Sequence, residues 1–383
     1  MYITIIRNQN TPTVRERQLD MESLVRSVYQ THPEEVVVGR RVDKPYFETI
    51  THFVEPQHMP LPPAGYLDPF VTFQLRYQQF VAANPDESKW YTHFYLPKKS
   101  GGMREIHAPI PELADLQRSI VHYLSHVPGK ALPTVHAHNA AFGYVTGRSS
   151  LRALQIHTNS NWFLKLDIKD FFPSCTSEML VDVLANIYPT AYIPREIRQE
   201  LMKICTRNNV LPQGAPSSPW LSNMVLLPLD HGITRATFNH NGSFTRYTRY
   251  ADDLLLSSVA KETLEIHIHT IVRLIRERGF EINREKTRLG SIAGSNWNLG
   301  LMLNKEHHIT LGHEKKQRIR AMVFNFLKDA VAGTPWDKNQ SEILQGQMAY
   351  YSHIEPTYVQ YVIDHYSEKT GVNFYVTLKQ ALQ

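Results

Sequence analysis

Two adjacent carboxylates, Asp252 and Asp253, interrupt an alternating apolar stretch in the second half of the chain. Residues 244–250 precede them and residues 254–256 follow, which predicts a strand, a tight turn at the acids and a second strand. Neighbouring Asp side chains repel each other and are costly to bury without a counter-ion. A divalent metal is the usual counter-ion, and Mg²⁺ prefers hard oxygen ligands of this kind.

A third carboxylate, Asp167, ends another apolar stretch and is followed by Phe171 and Phe172. An Asp-Asp pair alone is most often a solvated turn, so the inference depends on this third acid. Three acids at the ends of strands can bind the two metal ions of a nucleotidyl-transfer site.

Between these acids lies the segment Leu-Pro-Gln-Gly-Ala-Pro-Ser-Ser-Pro at residues 211–219. An apolar strand that ends in Asp-x-x-x-Phe-Phe, then this turn, then Tyr-Ala-Asp-Asp, resembles the reverse transcriptases of bacteria. That family includes retron, group II intron and phage-defence types. The three motifs are highly specific in this order, and the resemblance covers roughly residues 91–304.

The resemblance implies an RNA-directed DNA polymerase that uses two Mg²⁺ ions, for which Mn²⁺ can substitute. Asp167, Asp252 and Asp253 would be catalytic metal ligands, together with the backbone of Ile168. Lys286 matches the position proposed to protonate pyrophosphate as a general acid. A phosphate contact is the alternative role for that lysine.

The resemblance also assigns binding residues. Phe172 would be an aromatic plate under the sugar that clashes with a 2′-hydroxyl and so selects deoxynucleotides. The residues expected to bind the nucleotide are Lys98, Lys99, Arg104, Asp170, Phe171, Phe172, Gln213 and Gly214. The residues expected to bind nucleic acid are Arg148, Tyr250, Leu299 and Gly300.

The expected fold class is α+β, a right-hand polymerase with fingers, a ferredoxin-like palm, a helical thumb and an N-terminal extension. We expect the extension at residues 1–85, fingers with part of the palm at 86–165, palm and primer grip at 166–304, and thumb and C-terminal segment at 305–383. The local patterns predict a helix capped by Ser177, a helix with Pro219 as its first residue and a strand at residues 280–283. Residues 91–97 and 105–109 read as two strands joined by a Gly-containing turn at 98–104, and residues 264–275 as a helix that Gly279 ends. Apolar periodicity predicts helices over residues 69–82 and 112–124, a helix from Lys315, and two more over 341–353 and 357–366.

Composition excludes several classes of protein. The 383 residues contain 41 Lys and Arg against 36 Asp and Glu, a net charge of +5, with basic stretches at residues 273–288 and 315–320 that could meet phosphates. Only Cys175 and Cys205 occur and the 19 histidines are scattered, so neither a disulfide framework nor a zinc site is expected. No apolar run is long enough to predict a membrane span, and the start lacks a secretory signal. We expect a cytoplasmic location.

The expected partners are an RNA template, in particular a structured non-coding RNA, the DNA product and dNTPs, without a membrane. A homo-oligomer or an effector protein is left open. The biological setting expected is an antiphage-defence or retron-like system.

Two features depart from the retron pattern. Asn298-Leu299-Gly300 stands where retrons have Val-Thr-Gly, and of the Asn-Ala-x-x-His segment only His157 is in place. A stand-alone defence-associated or unclassified retron-like enzyme is therefore preferred. The alternatives are a group II intron-like retroelement enzyme, a catalytically silent RNA-binding relative, against which the intact acids argue, and an RNA-dependent RNA polymerase, against which Phe172 argues.

Overall fold

The computed structural model describes residues 2–6, 40–41, 47–53, 69–98, 101–126, 137–238, 245–294 and 296–383. Its strands are β1 Tyr2–Ile6, β2 Arg40–Arg41, β3 Phe47–Phe53, β4 Tyr91–Pro97, β5 Met103–Pro109, β6 Trp162–Asp167, β7 Arg246–Tyr250, β8 Asp253–Ser258, β9 Arg288–Ser291, β10 Asn296–Asn298, β11 Leu301–Leu303 and β12 Ile309–Thr310. Its helices are α1 Pro69–Ala83, α2 Pro111–Ser125, α3 Ser150–Gln155, α4 Phe171–Ser174, α5 Ser177–Leu184, α6 Arg195–Cys205, α7 Ser218–Thr237, α8 Lys261–Glu277, α9 Gly312–Val331, α10 Lys338–Ile354, α11 Pro356–Thr370 and α12 Phe374–Ala381.

Contacts divide the chain into two compact units. The first contains Met1–Ser149 and Leu164–Leu289, and the second contains Ser150–Phe163 and Gly290–Gln383. Within the described residues, no helix combines the length and the apolar character that a membrane span requires.

A four-stranded sheet with the order β7-β8-β6-β9 carries the predicted acids. Numbered in chain order, its strands run 2-3-1-4, the arrangement of a ferredoxin-like β-α-β-β-α-β unit. The predicted palm topology is therefore confirmed. The middle strands β6 and β8 are largely buried, as their apolar composition requires.

Helix α7 supplies much of the core of the first unit. Almost every residue from Leu221 to Ile233 is buried, including the polar Asn223 and Asp230. A helix that is apolar all round belongs in the interior, and buried polar groups on it need partners there.

Strands β4 and β5 form a separate two-stranded hairpin, in full antiparallel register from Tyr91 opposite Pro109 to Pro97 opposite Met103. The hairpin matches the strand, turn and strand predicted for the fingers. Several large apolar side chains on it are exposed, namely Phe94, Tyr95, Leu96 and Met103.

In the second unit, strands β10, β11 and β12 form a small antiparallel sheet. Helices α9 to α12 pack around a core that includes Phe326, Leu344, Ile363 and Phe374. Phe326 and Phe374 meet edge to face, with their ring centroids 5.5 Å apart. The helices predicted over residues 69–82, 112–124, 341–353 and 357–366, and from Lys315, are all present.

Three local predictions were wrong. The cap of α5 is Thr176, whose side chain accepts a hydrogen bond from the amide of Met179, one residue before the predicted cap Ser177. Helix α7 begins at Ser218, so Pro219 is its second residue. Residues 280–283 form only an isolated bridge, Ile168 to Ile282, because the chain turns at residues 284–286, and the strand follows at β9.

Candidate active site

A two-residue turn presents the acidic pair. Strands β7 and β8 pair Tyr250 with Asp253, which leaves Ala251 and Asp252 in the loop. Ala251 takes a positive φ of 57°, a conformation that is more often occupied by glycine. The amide of Ile168 donates to the backbone carbonyl of Asp252 at 3.1 Å. This bond joins the turn to the end of β6, where Asp167 lies.

The three carboxylates share one electrostatic environment. Asp167 is only 5% exposed. Burial, followed by the charge of Asp167, raises the pKa of Asp252. Asp253 reaches the surface, but close packing by protein atoms, followed by the charges of Asp252 and Asp167, raises its pKa to about 6. Accumulated negative charge in a poorly solvated site favours the binding of cations.

Lys286 provides a positive charge beside these acids. Its ammonium Nζ donates to Oδ2 of Asp167 at 2.7 Å, and this contact raises the pKa of the lysine. The turn after residue 283 directs the side chain back, because the amide of Thr287 donates to the carbonyl of Asn283. A lysine that holds its proton is in the correct state for a general acid or a phosphate ligand.

The donor set fits divalent magnesium. Carboxylate oxygens and the nearby backbone of Ile168 are hard ligands, and their shared negative charge needs neutralising. The described residues do not bring one oxygen from each of Asp167, Asp252 and Asp253 to within 4.8 Å of one another. The fit therefore rests on ligand chemistry and on the backbone contact between the two acidic segments.

A fully buried ion pair lies behind the turn. The guanidinium of Arg249 donates to Asp230 through Nε at 2.9 Å and Nη2 at 2.7 Å, and both side chains are 0% exposed. Burial alone would lower the pKa of Arg249, but Asp230 raises it above its ordinary value. The hydroxyl of Tyr247 donates to the same carboxylate at 2.7 Å.

The second guanidinium branch of Arg249 reaches the turn itself. Its Nη1 donates to the carbonyl of Ala251 at 3.1 Å and to Oδ1 of Asn223 at 3.0 Å. Asn223 in turn donates to the carbonyl of Gly143 at 3.0 Å. One buried network thus connects α7, β7, the acidic turn and the loop that contains Gly143.

That loop contacts the turn closely. A Cβ atom on Gly143 would lie 2.6 Å from the amide nitrogen of Ala251, so only glycine fits there. The next residue, Tyr144, is half exposed, and burial, followed by the charge of Asp252, raises its pKa. Arg148 donates through Nη1 to the carbonyl oxygens of His138 at 2.7 Å and Ala141 at 2.5 Å. Burial lowers the pKa of Arg148 to about 10, and its predicted phosphate contact stays a prediction.

The two phenylalanines after Asp167 have different surroundings. Phe171 is buried in the core, while Phe172 is partly exposed, with its ring 6.3 Å from that of Tyr144. Asp170 is exposed and has a positive φ of 45° where α4 begins. The position of Phe172 is compatible with an aromatic plate, whereas Phe171 is a core residue.

The fingers hairpin contacts the Gln-Gly turn. The amide of His107 donates to the carbonyl of Gln213 at 2.7 Å. Gly214 has a φ of 116°, and a Cβ atom there would lie 2.7 Å from Cγ2 of Ile106. Glycine is required by both the conformation and the close approach. On the same hairpin, the charge of Arg104 lowers the pKa of Asp252, as a minor contribution.

The remaining predicted residues lie as follows. Lys98 is exposed at the end of the hairpin, and Lys99 lies outside the described residues. Tyr250 is partly buried at the end of β7. Leu299 and Gly300 form the turn between β10 and β11 in the second unit, where the carbonyl of Gly300 accepts a hydrogen bond from Lys315.

Three features of the site were not predicted from the sequence. They are the buried ion pair of Arg249 and Asp230, the aromatic residue Tyr144, and Lys165. Burial lowers the pKa of Lys165, and the charge of Asp253 opposes this shift by a smaller amount. A signal for the pair was available. Asp230 directly follows the apolar run Met224–Leu229 within a helix, and Arg249 shares one face of a strand with Tyr247.

Comparison with known proteins supports one family. The model of the family described as "Reverse transcriptase (RNA-dependent DNA polymerase)" matches residues 96–345. The retron Mx65 reverse transcriptase of Myxococcus xanthus is 37% identical over 248 residues, which are 61% of this chain and 55% of that protein. The retron Ec83 reverse transcriptase of Escherichia coli is 31% identical over 316 residues, 79% of this chain and 96% of that protein. The retron Ec73 enzyme of Escherichia coli is 30% identical over 271 residues, 68% of this chain and 82% of that protein.

Similarity to solved structures is weaker. A telomerase from Candida albicans, in complex with a fragment of telomeric RNA, has a TM-score of 0.44 and 12% identity. The match covers 82% of this chain and 68% of that one. A likeness of this degree supports no inference about function.

The family match covers well over half of the chain, and relatives at 30% identity or more span over two thirds of it. Both agree with the order of the acidic motifs and with the palm topology, and they confirm the retron-type resemblance. The chain therefore belongs to the reverse transcriptase family, RNA-directed DNA polymerases with a right-hand fold.

Proposed function

We propose that this chain copies RNA into DNA with two divalent metal ions held by Asp167, Asp252 and Asp253. The observation that carries the proposal is that these acids lie at one end of the neighbouring strands β6, β7 and β8, joined by the hydrogen bond from the amide of Ile168 to the carbonyl of Asp252. When bound, two Mg²⁺ ions would supply Lewis acidity for the attacking hydroxyl and neutralise the departing pyrophosphate.

The residues around the metal site would have different roles in the reaction. Asp167 and Asp252, with the backbone of Ile168, would supply ligand oxygens to the metal ions, and Asp253 would complete the metal site. Lys286, whose pKa is raised by Asp167, holds a proton at Nζ that can be donated to the leaving group.

The nucleotide would be held by groups on both sides of the acids. Arg104, with Lys98 and Lys99 on the hairpin, would bind the triphosphate by charge-assisted hydrogen bonds. The ring of Phe172 would exclude a 2′-hydroxyl. Asp170 would present its backbone amide to the triphosphate.

Other predicted positions would contact bases and backbones. Gln213 and Gly214 would face the incoming base and the template. Arg148 and Tyr250 would contact nucleic acid, and Leu299 and Gly300 would grip the primer.

The template that we propose is a structured non-coding RNA, as in a retron-like system. Support comes from the curated relatives, which are retron reverse transcriptases. The thumb helix α9 exposes Arg318 and Arg320, and such basic side chains favour RNA phosphates, whereas Lys316 is paired with Glu355 at 2.8 Å and Lys315 donates to the carbonyl of Gly300. Antiphage defence is the biological role proposed for the system.

Primer extension on an RNA template with Mg²⁺ and dNTPs tests the activity. The double variant Asp252→Ala with Asp253→Ala should lose incorporation while retaining its far-ultraviolet circular dichroism spectrum. Asp115→Ala, a change of an exposed acid on α2, is the matched control and should retain full activity. Normal synthesis by the double variant would refute the assignment.

Crosslinking and sequencing of bound RNA tests the template. One dominant RNA encoded beside the gene is expected, and recovery of bulk ribosomal and transfer RNA in proportion to abundance would contradict the proposal. Plaque assays on cells that carry the locus with wild-type or Asp252→Ala protein test the defence role. Equal plaque numbers in the two strains would refute it.

A further inference from the structure

Three potential metal ligands share one face of the fingers hairpin. In the β4–β5 register, His93 lies directly opposite His107, and Tyr95 lies opposite Glu105. Because alternate residues of a strand point to the same face, Glu105 and His107 project together, and His93 joins them from the partner strand. Spacing along the chain gives no sign of this cluster, since the hairpin brings together residues that are 12 to 14 positions apart.

The distances suit a small coordination sphere. Oε1 of Glu105 lies 2.5 Å from Nε2 of His93 and 3.5 Å from Nε2 of His107. The two imidazole rings are stacked, with centroids 5.1 Å apart and planes 20° apart. Ligands bound to zinc at about 2.1 Å in a tetrahedron are separated by about 3.4 Å. The two measured separations lie on either side of that value, so small side-chain rotations would complete the geometry.

We propose that His93, Glu105 and His107 form a binding site for a transition-metal ion of the zinc class. The ligand atoms of these residues all lie within 4.8 Å of one another, and no other group of three such side chains in the described part of the chain meets that condition. Two imidazoles and one carboxylate favour zinc, copper or nickel over magnesium, which prefers oxygen ligands. The fingers site is therefore chemically distinct from the acids of the palm.

Two neighbouring features set the expected affinity. The guanidinium of Arg207 lies 3.5 Å from Nε2 of His107 and competes with an ion for that nitrogen. Nδ1 of His107 is buried without a hydrogen-bond partner, whereas the free ring nitrogen of a metal ligand normally donates to one. We expect binding that is weaker than at four-ligand structural zinc sites, and tighter when Arg207 is removed.

The position of the site connects it to the palm. His107 also donates its backbone amide to the carbonyl of Gln213 at 2.7 Å. An ion held by His107 would therefore be tied, through one residue, to the Gln-Gly turn. Any effect on nucleotide binding rests on the proposed polymerase function, but binding of the ion does not.

Zinc titration of the full chain tests the proposal. Metal-stripped protein in excess Mg²⁺, which saturates oxygen sites, competes for Zn²⁺ with a chromophoric chelator. We expect one equivalent of Zn²⁺ to be bound, with loss of that equivalent in His93→Gln and in Glu105→Gln. These two side chains are about half exposed, so the variants should fold normally. We expect Arg207→Gln to bind the same equivalent several-fold more tightly.

His122→Gln is the matched control, because His122 stacks on His126 with ring centroids 4.1 Å apart but the pair lacks a carboxylate in the cluster. This variant should bind zinc as the wild type does. Absence of zinc uptake, or uptake unchanged in both His93→Gln and Glu105→Gln, would overturn the proposal. Loss of uptake in His122→Gln alone would assign the ion to the helix and would equally overturn it.

Discussion

Asp230→Asn should destabilise the palm strongly, although the substitution preserves the shape of the side chain. It would leave the guanidinium of Arg249 fully buried without a counter-charge, where it now makes two hydrogen bonds to the carboxylate. Removing one partner of a buried ion pair costs about 3–5 kcal/mol. That is a large part of the stability of a typical domain, about 5–15 kcal/mol.

The assay must report on the first unit alone, because two compact units need not unfold together. Hydrogen–deuterium exchange of peptides from α7, β7 and β8 meets this need. A loss of about 3–5 kcal/mol corresponds to roughly 150-fold to several-thousand-fold faster exchange of the amides that open with the palm. Peptides from α10 and α11 in the second unit serve as an internal reference.

Two further variants distinguish charge from packing. Replacing both partners, Arg249→Met with Asp230→Leu, should cost less than Asp230→Asn alone because no unpaired charge remains, although the buried hydroxyl of Tyr247 and the carbonyl of Ala251 each lose a partner. Glu265→Gln removes the exposed partner of Lys261, a pair with its atoms 2.8 Å apart, and should cost about 0–1 kcal/mol. If Asp230→Asn changed exchange no more than Glu265→Gln does, the buried pair would not stabilise the palm as argued.

The remaining predictions concern the site itself. Asp253→Asn should raise the melting temperature of metal-free protein above pH 6, because the folded state raises the pKa of this acid to about 6 and so disfavours its charge. The gain in melting temperature should shrink as the pH falls from 6 towards 4. An equal gain at all pH values would contradict this prediction. Phe172→Val should raise incorporation of rNTPs relative to dNTPs in single-nucleotide assays, and an unchanged ratio would make Phe172 a packing residue only. Lys286→Ala should lower kcat by about 100-fold if the lysine is the general acid. Lys286→Arg should not recover this loss, because a guanidinium does not give up its proton in a protein; a change in KM alone, or recovery with arginine, would identify a phosphate contact.

The sequence predicted the parts of this fold that depend on local pattern. The strand, turn and strand around Asp252, the hairpin at β4 and β5, and the helices from α7 to α11 all follow from apolar periodicity and turn residues. The ferredoxin-like order also followed, because it is set by the alternation of strands and helices. Errors of one residue at Ser177 and Pro219 arose because caps depend on which side chain meets which amide.

Long-range contacts could not be predicted in the same way. The strand expected at residues 280–283 became one bridge because the chain turns at residues 284–286, and after this turn Lys286 contacts Asp167, 119 residues earlier. Alternation along β7 placed Arg249 on the inner face with Tyr247, but charged residues in a strand usually point to solvent. Only the fold reveals that Asp230 lies opposite, which makes the buried position tolerable.

The backbone of the acidic turn explains why the buried arginine is there. Ala251 adopts a positive φ of 57°, which costs a non-glycine residue about 1–2 kcal/mol. The hydrogen bond from Arg249 to the carbonyl of Ala251 holds this conformation and thereby fixes the directions of Asp252 and Asp253. If that is its role, Arg249→Lys, which keeps the charge but loses the fork of donors, should lower kcat more than it changes KM.

Combining Ala251→Gly with Arg249→Lys tests whether Arg249 acts on the acidic turn. Glycine takes the left-handed conformation without strain, so Ala251→Gly in the Arg249→Lys background should restore part of the lost kcat. In the wild-type background the same change should have a small effect, because relief of strain is offset by the greater freedom of the unfolded chain. Ala251 is buried, and its Cβ makes packing contacts that glycine lacks, so full recovery is not expected. No recovery at all in the double variant would show that Arg249 acts on the fold of the palm and not on the turn.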